Sequence, residues 1–278
     1  MHGIYWLASY PKSGNTWLRL FLENLLDNGN SFDLNNLRFT AHNAAERQRF
    51  DRILDICSSD LTDDEIANAR PRQFELEAAA ATTPLLYKTH DAWRLTPAGE
   101  PLFPPAVTRG VVYLVRDPRD VAISMAHHMG QSVDQIIVRM ANPQAVMERA
   151  SIRMPGQLPQ LLTTWSGHAA SWLSAPVPLL LLKYEEMLAD PIISFGKAAG
   201  FLGYKRTPEQ IRAAVEAVRF ERLQEMEETT GFGEKPPQAE RFFRRGITGG
   251  WRDSLTPEQA GRITADHGEM MRLFGYLA

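Results

Sequence analysis

The segment Tyr10-Pro11-Lys12-Ser13-Gly14-Asn15-Thr16-Trp17 constrains the fold of this chain more than any other stretch. An apolar run, Ile4-Tyr5-Trp6-Leu7-Ala8, leads into it and predicts a buried strand. A helical pattern from Thr16 to Leu26, apolar nearly all round, follows it. Strand, tight glycine-containing loop and helix together aim backbone N–H groups and a helix dipole at an anion. Lys12 adds a point charge, and Ser13, Asn15 and Thr16 add side-chain donors. The order is not that of the ATP-binding loop G-x-x-x-x-G-K-[ST], because here the lysine comes first and the segment has one glycine. Pro, Ser, Gly and Asn also favour turns, so an ordinary surface turn is the alternative at this point.

The remaining strands and helices alternate. Pro84 to His90 predicts a second strand, Gly110 to Val115 a third, and Val177 to Tyr184 a fourth. The third is continuously apolar and rich in β-branched residues, as a sheet covered on both faces requires. Helices are expected from near Pro118, over Val133 to Met140, over Leu161 to Leu173, and from Glu185, Thr207-Pro208 and Thr256-Pro257 onward. Residues 31–83 are expected to be mostly helical, with Thr62 and Glu65 forming a capping box. Asp27 to Asn30, 141–160 and 229–240 are expected as a turn, a loose excursion and a mobile loop. The fold class is therefore α/β: one domain over residues 1–278, with a central parallel sheet flanked by helices. In such folds ligands lie beyond the carboxyl ends of the strands, where each marked motif falls.

At 278 residues and a net charge of −3, the chain has no global basic field for nucleic acid or an anionic membrane, so an anion site must be local. Cys57 is the only cysteine; it excludes an internal disulfide, fits a reducing compartment, and is expected as a small buried residue. No signal peptide is readable, and no apolar run spans a bilayer, so a cytoplasmic location is expected.

Arg116 and Ser124 lie eight apart, at a strand end and two turns into the next helix, where both can face an anion over the helix start. An Arg116–Asp120 ion pair or a helix cap is the plain alternative, and Asp117 and Arg119 suit such structural roles. The basic cluster Arg241, Arg244, Arg245 and Arg252 can equally form a solvated face. His90 ends the second strand, and imidazole titrates near neutrality, as a general base must. His127 and His128 are rivals among seven histidines.

These segments together resemble the sulfotransferases that use 3′-phosphoadenosine 5′-phosphosulfate (PAPS), a cytosolic-type and bacterial-like domain, over nearly the whole chain and in that family's order. Tyr10 to Trp17 resembles its loop YPKSGTTW, with Asn15 in place of threonine. By that resemblance Lys12, Ser13, Gly14, Asn15, Thr16 and Trp17 hold the 5′-phosphosulfate, and Lys12 stabilises charge on the bridging oxygen. Val115 to Ser124 resembles V-R-N-x-K-D-x-x-x-S, which assigns Arg116 and Ser124 to the 3′-phosphate. Arg244 to Trp251 resembles R-K-G-x-x-G-x-W, which adds Arg244 by its side chain and Arg245 and Gly246 by backbone N–H groups. Lys88-Thr89-His90 resembles K-T-H, making His90 the base that takes the acceptor's proton, with Lys88 assisting. Tyr184 to Pro191 resembles Y-E-D-[ML]-x-x-D-P, placing Tyr184 and a stacked Trp17 on adenine. Phe220, in Val218-Arg219-Phe220 against the family's T-S-F, is a further adenine contact, although aromatics at such positions are commonly plain core.

The resemblance implies sulfuryl transfer from PAPS, with PAP (3′-phosphoadenosine 5′-phosphate) as product and without a metal, to a hydroxyl or amine of a small-molecule or carbohydrate acceptor. No nucleic-acid or membrane partner is expected. The alternatives are a P-loop kinase using ATP, which the absent ATP-loop pattern opposes, and a non-catalytic nucleotide-binding protein. Residues 31–83, 130–160 and 229–240 are the expected acceptor walls. The family's dimer segment K-x-x-x-T-V-x-x-x-E corresponds to Arg252 to Gly261, with Pro257 for valine and Gly261 for glutamate, so no dimer built on it is expected.

Overall fold

A computed structural model of the chain describes residues 2–27, 33–37, 41–147 and 155–277. In chain order the elements are β1 (Ile4–Ser9), α1 (Asn15–Leu26), β2 (His42–Asn43), α2 (Arg47–Leu54), α3 (Asp63–Ala80), β3 (Leu85–Thr89) and β4 (Thr108–Val115). Next come α4 (Pro118–Met129), α5 (Val133–Met140), β5 (Val146–Met147), β6 (Gln160–Leu161), α6 (Trp165–Leu173), β7 (Leu179–Lys183) and α7 (Tyr184–Ala189). The chain continues through α8 (Pro191–Phe201), α9 (Pro208–Ala217), α10 (Phe220–Thr230), α11 (Trp251–Ser254) and α12 (Pro257–Leu273).

The sheet runs β2-β3-β1-β4-β7. β1 and β3 pair in parallel, Ile4 opposite Leu85 through Ala8 opposite Thr89, and β2 adds to β3 in parallel through His42–Tyr87 and Asn43–Lys88. Parallel neighbours need crossovers, and the helices between strands supply them. β4 is buried from Gly110 to Val115, as its unbroken apolar sequence requires.

The chain forms two compact units. The first comprises residues 1–10, 41–113 and 142–181. Its core centres on Trp6, which meets Phe74, Phe103 and Tyr87 at centroid distances of 4.9, 4.8 and 5.6 Å. The indole N–H of Trp6 donates to Thr108 at 3.0 Å, so the ring is buried without leaving its polar edge unpaired. A satellite cluster joins Ala45, Phe50, Ile66 and Leu158. The second unit comprises residues 11–40, 114–141 and 182–278. There α1 buries Leu18, Leu20, Phe21, Leu22 and Leu25, and Phe21 stacks on Phe195 of α8 at 4.6 Å. Capping boxes at Thr62/Glu65, Ser132/Gln135, Thr207/Gln210 and Thr256/Gln259 fix the starts of α3, α5, α9 and α12.

Several expectations are corrected. The helix read as starting at Leu161 starts at Trp165, because Gln160 and Leu161 form β6 against β5 and Thr164 then caps α6 by accepting from Gly167 N–H. Val146–Met147 and Gln160–Leu161 thus form a short ribbon where a loose excursion was expected. Cys57 is exposed, not buried, since it stands between α2 and the next turn with its thiol beside Ser59 Oγ at 3.0 Å. β2 is a fifth strand that two polar residues gave no sign of. The turn expected at Asn28 to Asn30, and the parts of the expected acceptor walls at 31–32, 38–40 and 148–154, lie outside the described residues. No helix of the described residues is long and apolar enough to cross a membrane.

Candidate active site

Two sets of residues carry the expected chemistry, one in each unit. In the second unit the chain leaves β1 and turns through Lys12, at φ 68°, and Gly14, at φ 101°, before α1 begins. A Cβ on Gly14 would lie 2.9 Å from Tyr184 Cδ2, so the loop needs glycine for space as well as for conformation. Lys12 likewise holds a sparsely populated left-handed backbone conformation. Among the described residues no side chain caps α1 at Gly14 and no carboxylate lies in its first turn, so nothing there opposes an anion at the positive end of the helix dipole. Ser13 is fully buried, and its Oγ has no hydrogen-bond partner among the described residues.

Arg116 follows β4 directly. Its Nη1 donates to Lys12 O at 3.2 Å and its Nη2 to Ile247 O at 2.9 Å, while the guanidinium lies 4.2 Å over the Tyr184 ring. Its Nε is buried without a hydrogen-bond partner among the described residues. The ion pair weighed for Arg116 and Asp120 does not form: Asp120 accepts from Gly249 N–H at 2.6 Å and Trp251 N–H at 2.9 Å. Those bonds tie the Arg244–Trp251 segment to α4, and burial, ahead of its neighbours, raises the Asp120 carboxyl above its ordinary range. The structural pair is Asp117 with Arg119, at 2.7 Å, with Asp117 also capping α4 through Arg119 N–H. Glu185, next to Tyr184, accepts from Asp117 N–H and from the Tyr276 hydroxyl, so its place in the motif is structural.

Burial lowers the Arg244 pKa, and Arg245 and Arg116 lower it further, so both of those guanidinium groups lie within electrostatic reach of Arg244. Among the described residues no carboxylate forms an ion pair with any of the three. Such a cluster, with Ser124 half-buried on α4, suits a multiply charged anion. Gly246 sits at φ 59°, where a Cβ would meet Phe220 Cγ at 2.6 Å, so Phe220 packs on the backbone of this segment. Gln224 Nε2 donates to the carbonyls of Phe243 and Arg244, fixing the segment to α10. Trp17 donates from Nε1 to Val218 O at 2.9 Å and stands edge-on to Tyr184 and Phe195.

Lys12 Nζ lies 3.3 Å from His128 Nδ1 and 4.4 Å over the Phe242 ring. Burial, then Arg116, lowers the ammonium to about 8, against the opposing pull of Glu234 and Glu227. Burial, then Lys12, lowers His128 to about 4. Phe242 was not singled out by the sequence, and His128 was weighed there only as a rival base. The aromatic pair Phe242-Phe243 before Arg244 was the one available signal.

The first unit holds His90, directly after β3. Its Nδ1 is 2.8 Å from Ser9 O. A carbonyl only accepts, so Nδ1 carries the proton and the lone pair is on Nε2. The His90 backbone is fixed at both ends: its N–H donates to Gln160 Oε1, and its carbonyl accepts from His168 Nε2 at 3.1 Å. His168 Nδ1 in turn accepts from the Tyr113 hydroxyl at 2.9 Å, and burial lowers His168 to about 3, which keeps it neutral. Asp91 pairs with Arg70 at 2.9 Å and accepts from Leu161 N–H, while its carbonyl takes the Trp172 indole N–H. These supports escaped the sequence because they come from segments up to 81 residues away. Lys88 lies in β3 opposite Leu7. Among the described residues no group of three or more His, Cys, Asp or Glu is arranged to hold a metal.

The chain matches the sulfotransferase domain family over residues 4–275 and belongs to it. It is a sulfotransferase. It is 27% identical over 294 residues to cytosolic sulfotransferase 17 of Arabidopsis thaliana, covering 99% of this chain and 76% of that one. To flavonol 3-sulfotransferase of Flaveria bidentis it is 26% identical, covering 92% of this chain and 78% of the relative. The fold is also that of retinol dehydratase in complex with androsterone and the inactive cofactor PAP (TM-score 0.62, 22% identity, 96% of this chain and 80% of that one). A mouse sulfotransferase complexed with PAP superposes with a TM-score of 0.59 at 18% identity, over 98% and 85% of the two chains.

Proposed function

We propose that this sulfotransferase moves the sulfuryl group of PAPS onto a hydroxyl or amine of a small-molecule or carbohydrate acceptor, in the cytoplasm, with residues 1–278 working as one domain. The observation that carries this reading is the cluster of Arg116, Arg244 and Arg245, which no carboxylate among the described residues pairs. When bound, the cofactor supplies the sulfuryl group and a phosphate leaving group. Lys12, the buried Ser13 hydroxyl and the N–H groups from Gly14 to Trp17 hold its 5′ end. Arg116, Ser124 and Arg244, with the N–H groups of Arg245 and Gly246, hold its 3′-phosphate. Trp17, Tyr184 and Phe220 take the adenine. His90, held with its lone pair on Nε2, takes the acceptor's proton, and Lys88 assists.

Calorimetry with PAP, AMP and ATP tests the assignment. Each lost charge-assisted contact to the 3′-phosphate is worth about 1.5–3 kcal/mol, so PAP should bind at least about tenfold more tightly than AMP. Equal binding of PAP and AMP would remove the 3′-phosphate site, and preference for ATP would favour a kinase.

A further inference from the structure

We propose that His128 is a positioning residue for Lys12, holding the lysine ammonium between an imidazole lone pair and the face of Phe242. The proposal rests on the reading of Lys12 as a cofactor-contacting residue and adds to it the groups that aim that charge. Three observations converge. The first is the contact itself, 3.3 Å from Nζ to His128 Nδ1; an ammonium has only donors, so the imidazole must accept. The second is the ring of Phe242, 4.4 Å from Nζ and edge-on to His128 at 6.0 Å. The third is that this ring is itself built in. Both carboxylate oxygens of Glu227 accept from Phe242 N–H and Phe243 N–H, at 2.7 and 2.9 Å. Phe232 packs across Phe242 at 4.8 Å, Arg19 pairs with Glu234 at 2.8 Å, and Gln238 donates to the His128 carbonyl.

The cage decides which direction the cation faces. A lysine has a flexible stem and no directional preference of its own, so the position of its charge is set by what surrounds it. The groups facing Lys12 are His128 from α4, Arg116 beyond β4, Glu227 from α10 and Glu234 from the following loop. Among the described residues only His128 makes direct hydrogen-bond contact with Nζ. A neutral acceptor fixes the ammonium without neutralising it, leaving its full charge for the bound anion.

The test compares His128→Leu with His128→Asn, which are close in shape; the asparagine carboxamide offers Lys12 an acceptor oxygen and leucine offers none. In His128→Leu, kcat should fall roughly ten- to a hundredfold, the equivalent of one hydrogen bond to a charged group. PAP affinity measured well below the Lys12 midpoint should hold, because the lysine is charged there in both proteins. A second readout does not depend on turnover: trace acylation of the free enzyme across pH, quantified at Lys12 by mass spectrometry. Its midpoint should fall below that of the unsubstituted enzyme in His128→Leu, where burial is no longer offset by an acceptor, and return in His128→Asn. If His128→Leu does not fold, His128→Phe, which keeps a ring, makes the same comparison. Unchanged kcat and an unchanged Lys12 titration in the Leu variant would overturn the proposal, and so would equal damage from Leu and Asn. Failure of the unsubstituted enzyme to bind PAP would instead strike the functional reading beneath it.

Discussion

The guanidinium of Arg116 donates through Nη1 to the carbonyl oxygen of Lys12 at 3.2 Å, tying the end of β4 to the turn before α1. The residue assigned to the 3′-phosphate therefore also braces the left-handed backbone of the residue assigned to the phosphosulfate. Lysine cannot reach Lys12 O and Ile247 O with two arms, so Arg116→Lys should behave nearly as Arg116→Ala. Either should weaken PAP roughly ten- to a hundredfold. In a double-mutant cycle with Lys12→Ala, calorimetry should give a coupling of about 0.5–3 kcal/mol. Strictly additive losses would mean the two residues act separately.

Gly14→Ala should destabilise the free protein by about 1–3 kcal/mol, the usual range for a residue forced into a sparsely populated conformation. The left-handed φ and the approach of Tyr184 both oppose a Cβ there. Denaturant melts read the loss, and PAP affinity should fall with it. A neutral substitution would show that the loop reshapes freely.

The Lys12 ammonium, lowered to about 8 by burial and Arg116, is charged below that pH and neutral above it. A bound phosphate favours the charged form and raises the folded-state pKa again. PAP binding should therefore take up protons increasingly as pH rises through about 8, and affinity should decline there. Calorimetry in buffers of different ionisation enthalpy measures the uptake, with Lys12→Met as the control that loses it. Uptake identical in that variant would assign the titration to another group.

The sequence made the strand, turn and helix starts around Lys12 and Arg116 legible, because these elements are short and local. The unbroken β4 run, the turn before α1 and the proline-first helix starts each depend on neighbours within a few residues. What escaped depends on distance in the chain. β2 is two polar residues whose strand character comes only from β3. Nothing local shows that Gln160 and Leu161 pair with β5 instead of opening a helix. Cys57 looked like a buried apolar residue, and only its place between α2 and the following turn exposes it. Lys12 and His128 are separated by 116 positions, so neither predicts the other.

The segment from Arg252 to Gly261 is occupied by α11 and the start of α12, where Thr256 accepts from Gln259 N–H and Pro257 opens the helix. No dimer built on these residues is expected. Sedimentation across a range of concentrations, repeated with Thr256→Ala, checks this. A dimer that Thr256→Ala dissociates would contradict it.

His90→Ala should depress turnover by roughly two to four powers of ten while leaving PAP affinity nearly unchanged. Lys12→Ala should weaken both, since its charge acts on the bound cofactor and more strongly as the reaction proceeds. Steady-state rates set beside calorimetry separate the two patterns. Near-normal turnover by His90→Ala would move the base to another residue.

The most direct measurement is transfer of label from PAPS carrying a labelled sulfuryl group to a panel of phenols, alcohols and amines. The account predicts labelled acceptor and PAP formed in equal amounts, with both falling sharply in Lys12→Ala and in His90→Ala. Retention of all label on PAPS across the panel, with no slow hydrolysis to PAP and sulfate and no preference for PAP over AMP in binding, would contradict it.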